Sequence, residues 1–476
     1  MAGSVLSTPT YSLQPSSQQV ALATNYITNF DFLNQYLPDT YEKEFERYGN
    51  RTISSFLRMV GAELPSNSDL IKWAEQGRLH IKYISVGTAA AAGDDEAVFQ
   101  VNDTITGNIS VRLGQTLMVV QNDGSGSNKG IVTEVDVAND QFTVAFYEAG
   151  GLVTAGTGVG NADVTVFIYG SEFKKGTNGM TGSLEADDDI FENSPIIIKD
   201  KYAVNGSDMA QIGWVEVTTE NGATGFLWYL KSEHETRLRF DDYLETAMIE
   251  AVPAEAGSGA ANSTLNPDYG NKGSEGIFYV VENRGNVWGG GNPTSLGDFD
   301  SVISRLDKQG AIEENVLFVD RDFSFDIDDM LASQNSYGAN GTSYGLFDND
   351  QDMALNLGFS GFRRGYDFYK TDWKYLNDPT MRGGLPTGAG SGRVNGLLVP
   401  AGSTTVYDQI LGKNAKRPFL HVRYRASEAE DRRYKTWITG SAGGAMNSDL
   451  DAMEVHFLSE RAVCTMGANN FFLFQE

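Results

Sequence analysis

The stretch from Gly225 to Pro253, GFLWYLKSEHETRLRFDDYLETAMIEAVP, constrains the fold more than any other part of this chain. Its apolar and small residues recur at steps of three, four or six, which predicts one helix with a single buried stripe. That helix would span about 26 residues and roughly 39 Å, much longer than an average helix. The predicted stripe consists of Leu227, Leu230, His234, Leu238, Leu244, Ala247 and Ala251. A helix of this kind is typical of a structural strut.

The other faces of this predicted helix are charged and include a His-Glu pair. Two acid-before-base pairs have the four-residue spacing that stabilises a helix, Glu233 with Arg237 and Glu235 with Arg239. A zinc-peptidase motif needs a second histidine four residues after His234, and that position is Leu238. We therefore predict that His234 belongs to the strut and binds no metal.

Two β-type runs precede the helix. Ile196 to Val204 and Met209 to Thr218 are joined by Asn205-Gly206-Ser207-Asp208, a pattern that predicts a two-stranded ribbon. Such a ribbon is only marginally stable alone in water and needs a surface to lie on.

Residues 83–180 are rich in Gly, Val, Thr and Asp and differ from the rest of the chain. GIVTEVDVANDQFTVAFYEAG predicts a hairpin that turns at Asn139-Asp140. On its first strand we expect Ile131, Thr133, Val135 and Val137 to share a face, and on its second Phe142, Val144 and Phe146. RLGQTLMVV and ADVTVFIYG add two strands. Short strands at this spacing favour a small barrel or sandwich inserted as a unit.

The charge and cysteine content excludes several classes of protein. The chain has 63 acidic and 36 basic residues, a net charge of -27, which argues against a general nucleic-acid or anionic-membrane binder. It suits a protein that lies near nucleic acid without adhering to it. The single cysteine, Cys464, permits no intrachain disulfide. We expect a soluble protein, since the N-terminus is no secretion signal and no apolar run reaches the ~20 residues of a membrane span.

The N-terminal 82 residues divide into two parts. Residues 1–38 are polar, and they are either a disordered tail or an extended arm that becomes ordered against a neighbour. Two helices follow in our prediction, one over 39–60 and a short one that begins at Asn67 or Ser68 and stops at Gly77.

The C-terminal half predicts a mixed α/β lobe. GIFYVVEN favours a strand before a glycine-rich bend, and DFDSVISRLDKQG a helix with Asp298 as N-cap and Gly310 as its stop. NVLFVD predicts a buried strand and DIDDMLASQ a short helix. PFLHVRYRA and RRYKTWITG favour a hairpin, and MEVHFLSERAV and NNFFLFQ two further strands.

Charged clusters in the same half carry no catalytic or metal motif. Asp348, Asp350 and Asp352 begin like a calcium loop, but Met353 and Phe359 stand where glycine and a bidentate glutamate are required. The basic residues between 413 and 437 favour pairing with carboxylates of another subunit over nucleic-acid binding, because the chain is so acidic. We predict no enzymatic activity and no cofactor.

The order of these segments resembles the major capsid proteins of tailed phages, which share the Hong Kong 97-like fold with encapsulins. The likeness lies in SPIIIKDKYAVNGSDMAQIGWVEV leading into the long helix, and in GIFYVVENRGNVWGGGNPTSLGDFDSVISRLDKQGA after it. The ending SERAVCTMGANNFFLF is similar to capsid proteins of crAss-like gut phages. The resemblance covers about 1–80 and 181–476.

The resemblance implies an α+β fold with an inserted β-barrel-like domain. It assigns an N-terminal arm (1–38), N-terminal helices (39–82), the insertion (83–180), an extended E-loop (181–225), a P-domain with the spine helix (226–295), an A-domain (296–450) and C-terminal strands returning to the P-domain (451–476). The E-loop residues expected at contacts between subunits are Ile197, Lys199, Lys201, Asn205, Gly206, Asp208 and Trp214.

The function implied is a major capsid protein that self-assembles, as hexamers and pentamers, into an icosahedral shell around phage double-stranded DNA. Its implied partners are further copies, other capsid, portal and head-decoration proteins, and DNA bound without sequence specificity. Assembly would take place in the host bacterial cytoplasm, with no membrane involved. Two alternatives stay open: an encapsulin-like cellular compartment shell, and an acidic, cation-dependent, β-rich binding protein.

Overall fold

The computed structural model describes residues 56–57, 62–91, 95–101, 109–124, 126–151, 164–182, 188–210, 217–218, 224–225, 228–262, 272–310, 312–335, 360–386, 388, 392–408, 413–444 and 446–476. The sequence predictions for the arm (1–38), the helix over 39–55, Trp214, Leu227 and the 348–352 acidic cluster fall outside these residues.

The described residues form short strands and a smaller number of helices. The strands are β1 Ala62–Ser66, β2 Ile71–Gln76, β3 Lys82–Ala91, β4 Glu96–Gln100, β5 Gln115–Gln121, β6 Ser127–Asp136, β7 Gln141–Phe146, β8 Val164–Ser171, β9 Asp188–Asn193, β10 Ile196–Asn205, β11 Val217–Thr218, β12 Thr224–Gly225, β13 Asn286–Trp288, β14 Glu314–Val319, β15 Gly361–Arg364, β16 Tyr366–Asp372, β17 Val394–Pro400, β18 Ser403–Asp408, β19 Lys413–Pro418, β20 Leu420–Arg425, β21 Lys435–Gly440, β22 Ala452–Thr465 and β23 Phe472–Gln475. The helices are α1 Gly206–Met209, α2 Trp228–Glu250, α3 Ile277–Arg284, α4 Leu296–Gln309, α5 Arg321–Asn335 and α6 Lys374–Asn377, with 3-10 turns at Arg382–Gly384 and Ala468–Asn470.

A six-stranded closed barrel occupies the region predicted as an insertion. Its strand order is β3-β4-β7-β6-β5-β8, which confirms the barrel interpretation. The core is filled by apolar side chains that are almost wholly buried, among them Phe99, Leu117, Phe142 and Val166. Phe142 and Val144 point inward as predicted.

The predicted inward face of β6 is wrong by one residue. Val132 is buried, whereas its neighbour Thr133 is exposed. The register with β7 shifts between Val132 and Glu134, so a β-bulge moves the alternation to the other face partway along the strand. Val135 then packs against the core as predicted.

The barrel is joined to the rest of the chain by a two-stranded stem. β2 runs antiparallel to β9, from Ile71 opposite Asn193 to Gln76 opposite Asp188. The short helix predicted from Asn67 or Ser68 to Gly77 is therefore wrong, and so is the assignment of helices to all of 39–82, because β1 and β2 lie in it. Pairing with a strand more than a hundred residues later overrides the local capping signal, since propensity is a weak prior.

A mixed six-stranded sheet forms the predicted α/β lobe, in the order β13-β23-β17-β14-β16-β15. Both predicted helices are present as α4 and α5. The N-cap of α4 is Ser295, which forms a capping box with Asp298, and Gly310 ends the helix in the left-handed conformation. The buried β17 and β14 occupy the centre. The final strand also belongs here, because Phe472 and Phe474 pack in the core of this lobe.

Two further sequence predictions in this half are wrong. Ile277–Arg284, expected as a strand, is the helix α3, whose first residues are buried. The expected hairpin of β20 with β21 does not form, because each strand pairs antiparallel with a different half of β22. The return of 451–476 to the P-domain stays a prediction; in the structure β23 pairs with β13 and with β17.

The chain separates into two compact units. The first contains the described parts of 198–244 and 434–458, and the second contains the described parts of 55–197, 245–433 and 459–476. In the first unit, β10 and β21 each lie beside β22, and helix α2 covers one face of these strands. The core between them consists of Val204, Phe240, Leu244, Met453, Val455 and Phe457.

Candidate assembly surface

Among the strands that the structure describes, β10 stands at the edge of its sheet and is ten residues long. It is the last strand of its sheet, and β22 is its one neighbour among the described strands. Its side chains alternate, so that the predicted E-loop residues Ile197, Lys199, Lys201 and Asn205 all lie on the exposed face. Ile197 is 52% exposed. A long edge of this kind offers a row of backbone donors and acceptors to another strand.

The outer end of β10 leads directly into the one-turn helix α1. The backbone N–H of Gly206 donates to the carbonyl oxygen of Asp451 at 3.2 Å, and a Cβ at Gly206 would collide with the Asp451 side chain. The side chain of Asn205 donates to Asp208 at 3.4 Å. Most of the run predicted to pair with β10, residues 211–216, lies outside the described residues; its last two residues, β11, pair with β12.

A polar network crosses the solvent side of the three strands of the first unit. Lys201 Nζ lies 2.9 Å from Glu454 Oε1, and this bond holds the pKa of the Glu454 carboxyl below its usual value. His456 Nε2 lies 3.6 Å from Glu454 and 2.7 Å from Thr439 Oγ1. The His456 ring stacks on Trp437 with centroids 5.0 Å apart. The network fixes β10 against β22, on the side opposite to the edge at which no described strand pairs with β10.

Sequence reasoning missed Glu454, His456 and Trp437 as parts of this surface. The signal was present in MEVHF, where Glu454 and His456 alternate with apolar residues that pack beneath the strand. What no local pattern shows is that Glu454 pairs with Lys201, which is far away in sequence.

The predicted spine helix exists as α2, 23 residues long, but its buried face differs from the predicted stripe. Of the predicted residues, Leu244 is buried, His234 and Leu238 are partly exposed, and Leu230 is 41% exposed. The buried face instead runs through Thr236, Phe240 and Leu244. The Phe240 ring lies 5.3 Å from Tyr434 and 5.7 Å from Phe457. Aromatic packing against β22 selects this face over the leucine-rich one.

The charged residues of α2 also use partners other than the predicted ones. Arg239 pairs with Asp200 of β10 at 3.2 Å, and Lys231 lies 3.9 Å from Glu235. Arg237 lies over the Tyr434 ring at 5.8 Å. The contact between Arg239 and Asp200 ties the helix to the edge strand.

The basic segment after β20 is neutralised largely within the chain. Arg432 pairs with Glu460 at 2.6 Å, and Arg425 lies 3.6 Å from the same carboxylate. Arg433 pairs with Glu63, and Arg425 also contacts Asp69. These arginines thus have carboxylate partners within the chain, and their pairing with another subunit stays a prediction.

No group of three His, Cys, Asp or Glu side chains converges to hold a metal ion in the part of the chain that the structure describes. Over the same residues, no helix combines the length and the apolar character that a membrane crossing requires.

Comparison with known proteins gives similarity to solved structures alone. No family model and no curated protein matches the chain. A chain of Gordonia phage Cozz is 9% identical, with a TM-score of 0.40 and coverage of 97% of this chain and 98% of that one. A chain of Microbacterium phage Oxtober96 is 10% identical, with a TM-score of 0.39 and coverage of 94% and 97%. A chain of the bacteriophage PhiM1 mature capsid is 9% identical, with a TM-score of 0.31 and coverage of 64% and 78%. At TM-scores of this size the likeness carries no argument about fold or function.

Proposed function

We propose that the chain is a major capsid protein of a tailed phage, which assembles with copies of itself into the shell that encloses double-stranded DNA. The observation that carries the proposal is the open edge of β10. Ten residues of backbone are held in place from one side by Lys201–Glu454 and Arg239–Asp200. Proteins that act alone shorten, twist or cover such an edge. Here the network holds the strand extended, ready to lie across another subunit.

Charge supports the same function. A net charge of -27 keeps a DNA-facing protein from adhering to phosphates, since like charges repel over distances comparable to the screening length. The proposal includes the Hong Kong 97-like fold, the division into E-loop, P-domain and A-domain, the crAss-like relationship and assembly in the host cytoplasm. Each of these rests on the sequence resemblance. The predicted E-loop residues Gly206, Asp208 and Trp214 belong to it as well.

Negative-stain microscopy tests the proposal directly. The full chain is purified after expression alone and together with its genomic neighbours. We expect closed or partial shells, or regular arrays of hexamers and pentamers. A monodisperse monomer under all these conditions would refute the proposal. Protein cargo instead of DNA inside closed shells would favour the cellular compartment.

A deletion tests the role of β10 within the assembly. Removal of Asn205 to Gln211 takes away α1 and the anchor between Gly206 and Asp451. We expect subunits that remain soluble and fail to form shells. The matched control is the single substitution Ser207→Ala, at an exposed residue of the same segment, which keeps the backbone anchor and should still assemble. Normal shells from the deletion would contradict the E-loop assignment.

A further inference from the structure

The outer wall of the barrel carries an exposed apolar surface, which we name the barrel patch. Its members are Ile84, Met118, Phe167 and Tyr169. Ile84 is 68% exposed, Phe167 37% and Tyr169 50%. About a third of Phe167, half of Tyr169 and two thirds of Ile84 are thus in contact with water, which costs free energy in an isolated molecule.

Strand register makes the barrel patch continuous. Phe167 of β8 stands opposite Lys82 of β3 and opposite Met118 of β5. Met118 in turn stands opposite Lys129 of β6. These four residues form one row across four strands on the outside of the barrel, because cross-strand partners point to the same face. Val166 and Leu117, their neighbours in sequence, are buried in the core.

The row ends in a lysine on each side, and these lysines are unusual for this part of the chain. Residues 82–171 contain ten acidic side chains and three basic ones, Lys82, Arg112 and Lys129. Arg112 donates to the carbonyl oxygens of Ile109 and Val111. Lys129 lies 5.6 Å from the centre of the Tyr169 ring. Two of the barrel's three cations therefore border its exposed aromatic surface.

We propose that the barrel patch docks against a carboxylate-bearing surface of a second copy of this chain. This inference rests on the proposed function, because a shell brings copies into contact. Copies that each carry a net charge of -27 repel one another, so a stable contact needs cations at its border. Lys82 and Lys129 supply them around an apolar centre, which is the arrangement of a specific interface. The role of the barrel is thus to join subunits.

Site-directed photocrosslinking identifies the occupant. Phe167 is replaced in the full chain by the photoreactive amino acid p-benzoylphenylalanine, and the assembled protein is irradiated. We expect a covalent two-copy product whose crosslinked peptide is acidic. The same label at Val137, which is 48% exposed at the β6–β7 turn, is the control and should give a much lower yield. Shells without a two-copy product from position 167, or crosslinks there only to another protein, would overturn the proposal.

Charge reversal tests the part played by the lysines. The double variant Lys82→Glu, Lys129→Glu should raise the protein concentration needed for assembly by about tenfold, because two attractions become repulsions. Lys82→Arg, Lys129→Arg keeps both charges and should assemble like the parent chain. Equal melting temperatures would show that the fold is retained. Unchanged assembly of the Glu variant would refute the docking role. Failure of the parent chain itself to assemble would count against the proposed function instead.

Discussion

At the scale of single residues, His421 is a buried histidine whose Nδ1 is hydrogen-bonded to the backbone. The residue is 5% exposed, and its Nδ1 lies 3.2 Å from the carbonyl oxygen of Pro418. A carbonyl oxygen only accepts, so Nδ1 carries a proton and donates the hydrogen bond. Burial is the main cause that lowers the pKa of His421 to about 4, and the nearby Arg423 and Arg417 lower it further.

This pKa predicts a loss of stability in acid. Between pH 6.5 and about 4 the unfolded chain binds a proton at His421 that the folded chain does not bind. The free energy of unfolding should therefore fall as pH decreases through this window, by about 3 kcal/mol when complete. Above pH 6.5 the contribution is constant. Urea unfolding of the parent chain and of His421→Gln at pH 7.5 and 4.5 measures it, because the variant lacks this titrating group.

The matched control is His456→Gln, which removes a partly exposed histidine of β22. It should keep the loss of stability on acidification that the parent chain shows. If His421→Gln were as sensitive to acid as the parent, burial of the neutral ring would not be the cause.

At the scale of secondary-structure elements, helix α2 is held by its aromatic face. Phe240 is fully buried between Tyr434 and Phe457, whereas Leu230 is 41% exposed. We expect Phe240→Ala to lower the free energy of unfolding by about 3–5 kcal/mol. Leu230→Ala, on the face that the sequence pattern favours, should change it by about 0.5 kcal/mol or less. Differential scanning calorimetry of the two variants measures the difference, and the opposite ranking would contradict the observed helix orientation.

The sequence predicts elements whose signals are local. The barrel hairpin, α4 and β14 follow from alternation, helical spacing and a glycine stop, all within about 15 residues. β10 and its exposed side chains were also predictable, because one face of the strand is polar. Ile197, Lys199, Lys201 and Asn205 lie on its exposed face, and their role in contacts between subunits stays a prediction.

The sequence predictions fail where contacts with residues far away in the chain determine the structure. Ile71–Gln76 has a helix-start signal yet pairs with β9, and the β-prone Ile277–Val281 folds as a helix that is buried in the structure. β20 and β21 have the sequence pattern of a hairpin, but each pairs with a different part of the longer strand β22. On α2 two apolar faces compete, and only the position of Phe457 and Tyr434 selects between them. Local propensity differences are small beside such tertiary packing.

At the scale of the whole molecule, the barrel has a core of its own. Its buried cluster is drawn entirely from residues between 83 and 168. We expect that residues 77–187 can be replaced by Asn-Gly, which joins β2 to β9 through a two-residue turn. The shortened chain should remain soluble and lose one calorimetric transition, the one that belongs to the barrel.

The control for this excision is the barrel itself, expressed as residues 77–187. It should melt at the temperature of the missing transition. Aggregation of the shortened chain together with an unfolded barrel fragment would contradict the independence of the two cores. Failure of the shortened chain to form shells, with its fold intact, would agree with the docking role of the barrel patch.

The stem has a consequence for how such chains diverge. Gln76 and Asp188 stand opposite each other, so the ends of everything between them are about 5 Å apart. Any compact module with similarly close ends fits the same gap without altering the strands that hold it. A single recombination within this part of the gene would then replace the barrel while β2 and β9, which hold it, stay unchanged. Exchange of this segment therefore asks for no compensating change in the strands that flank it.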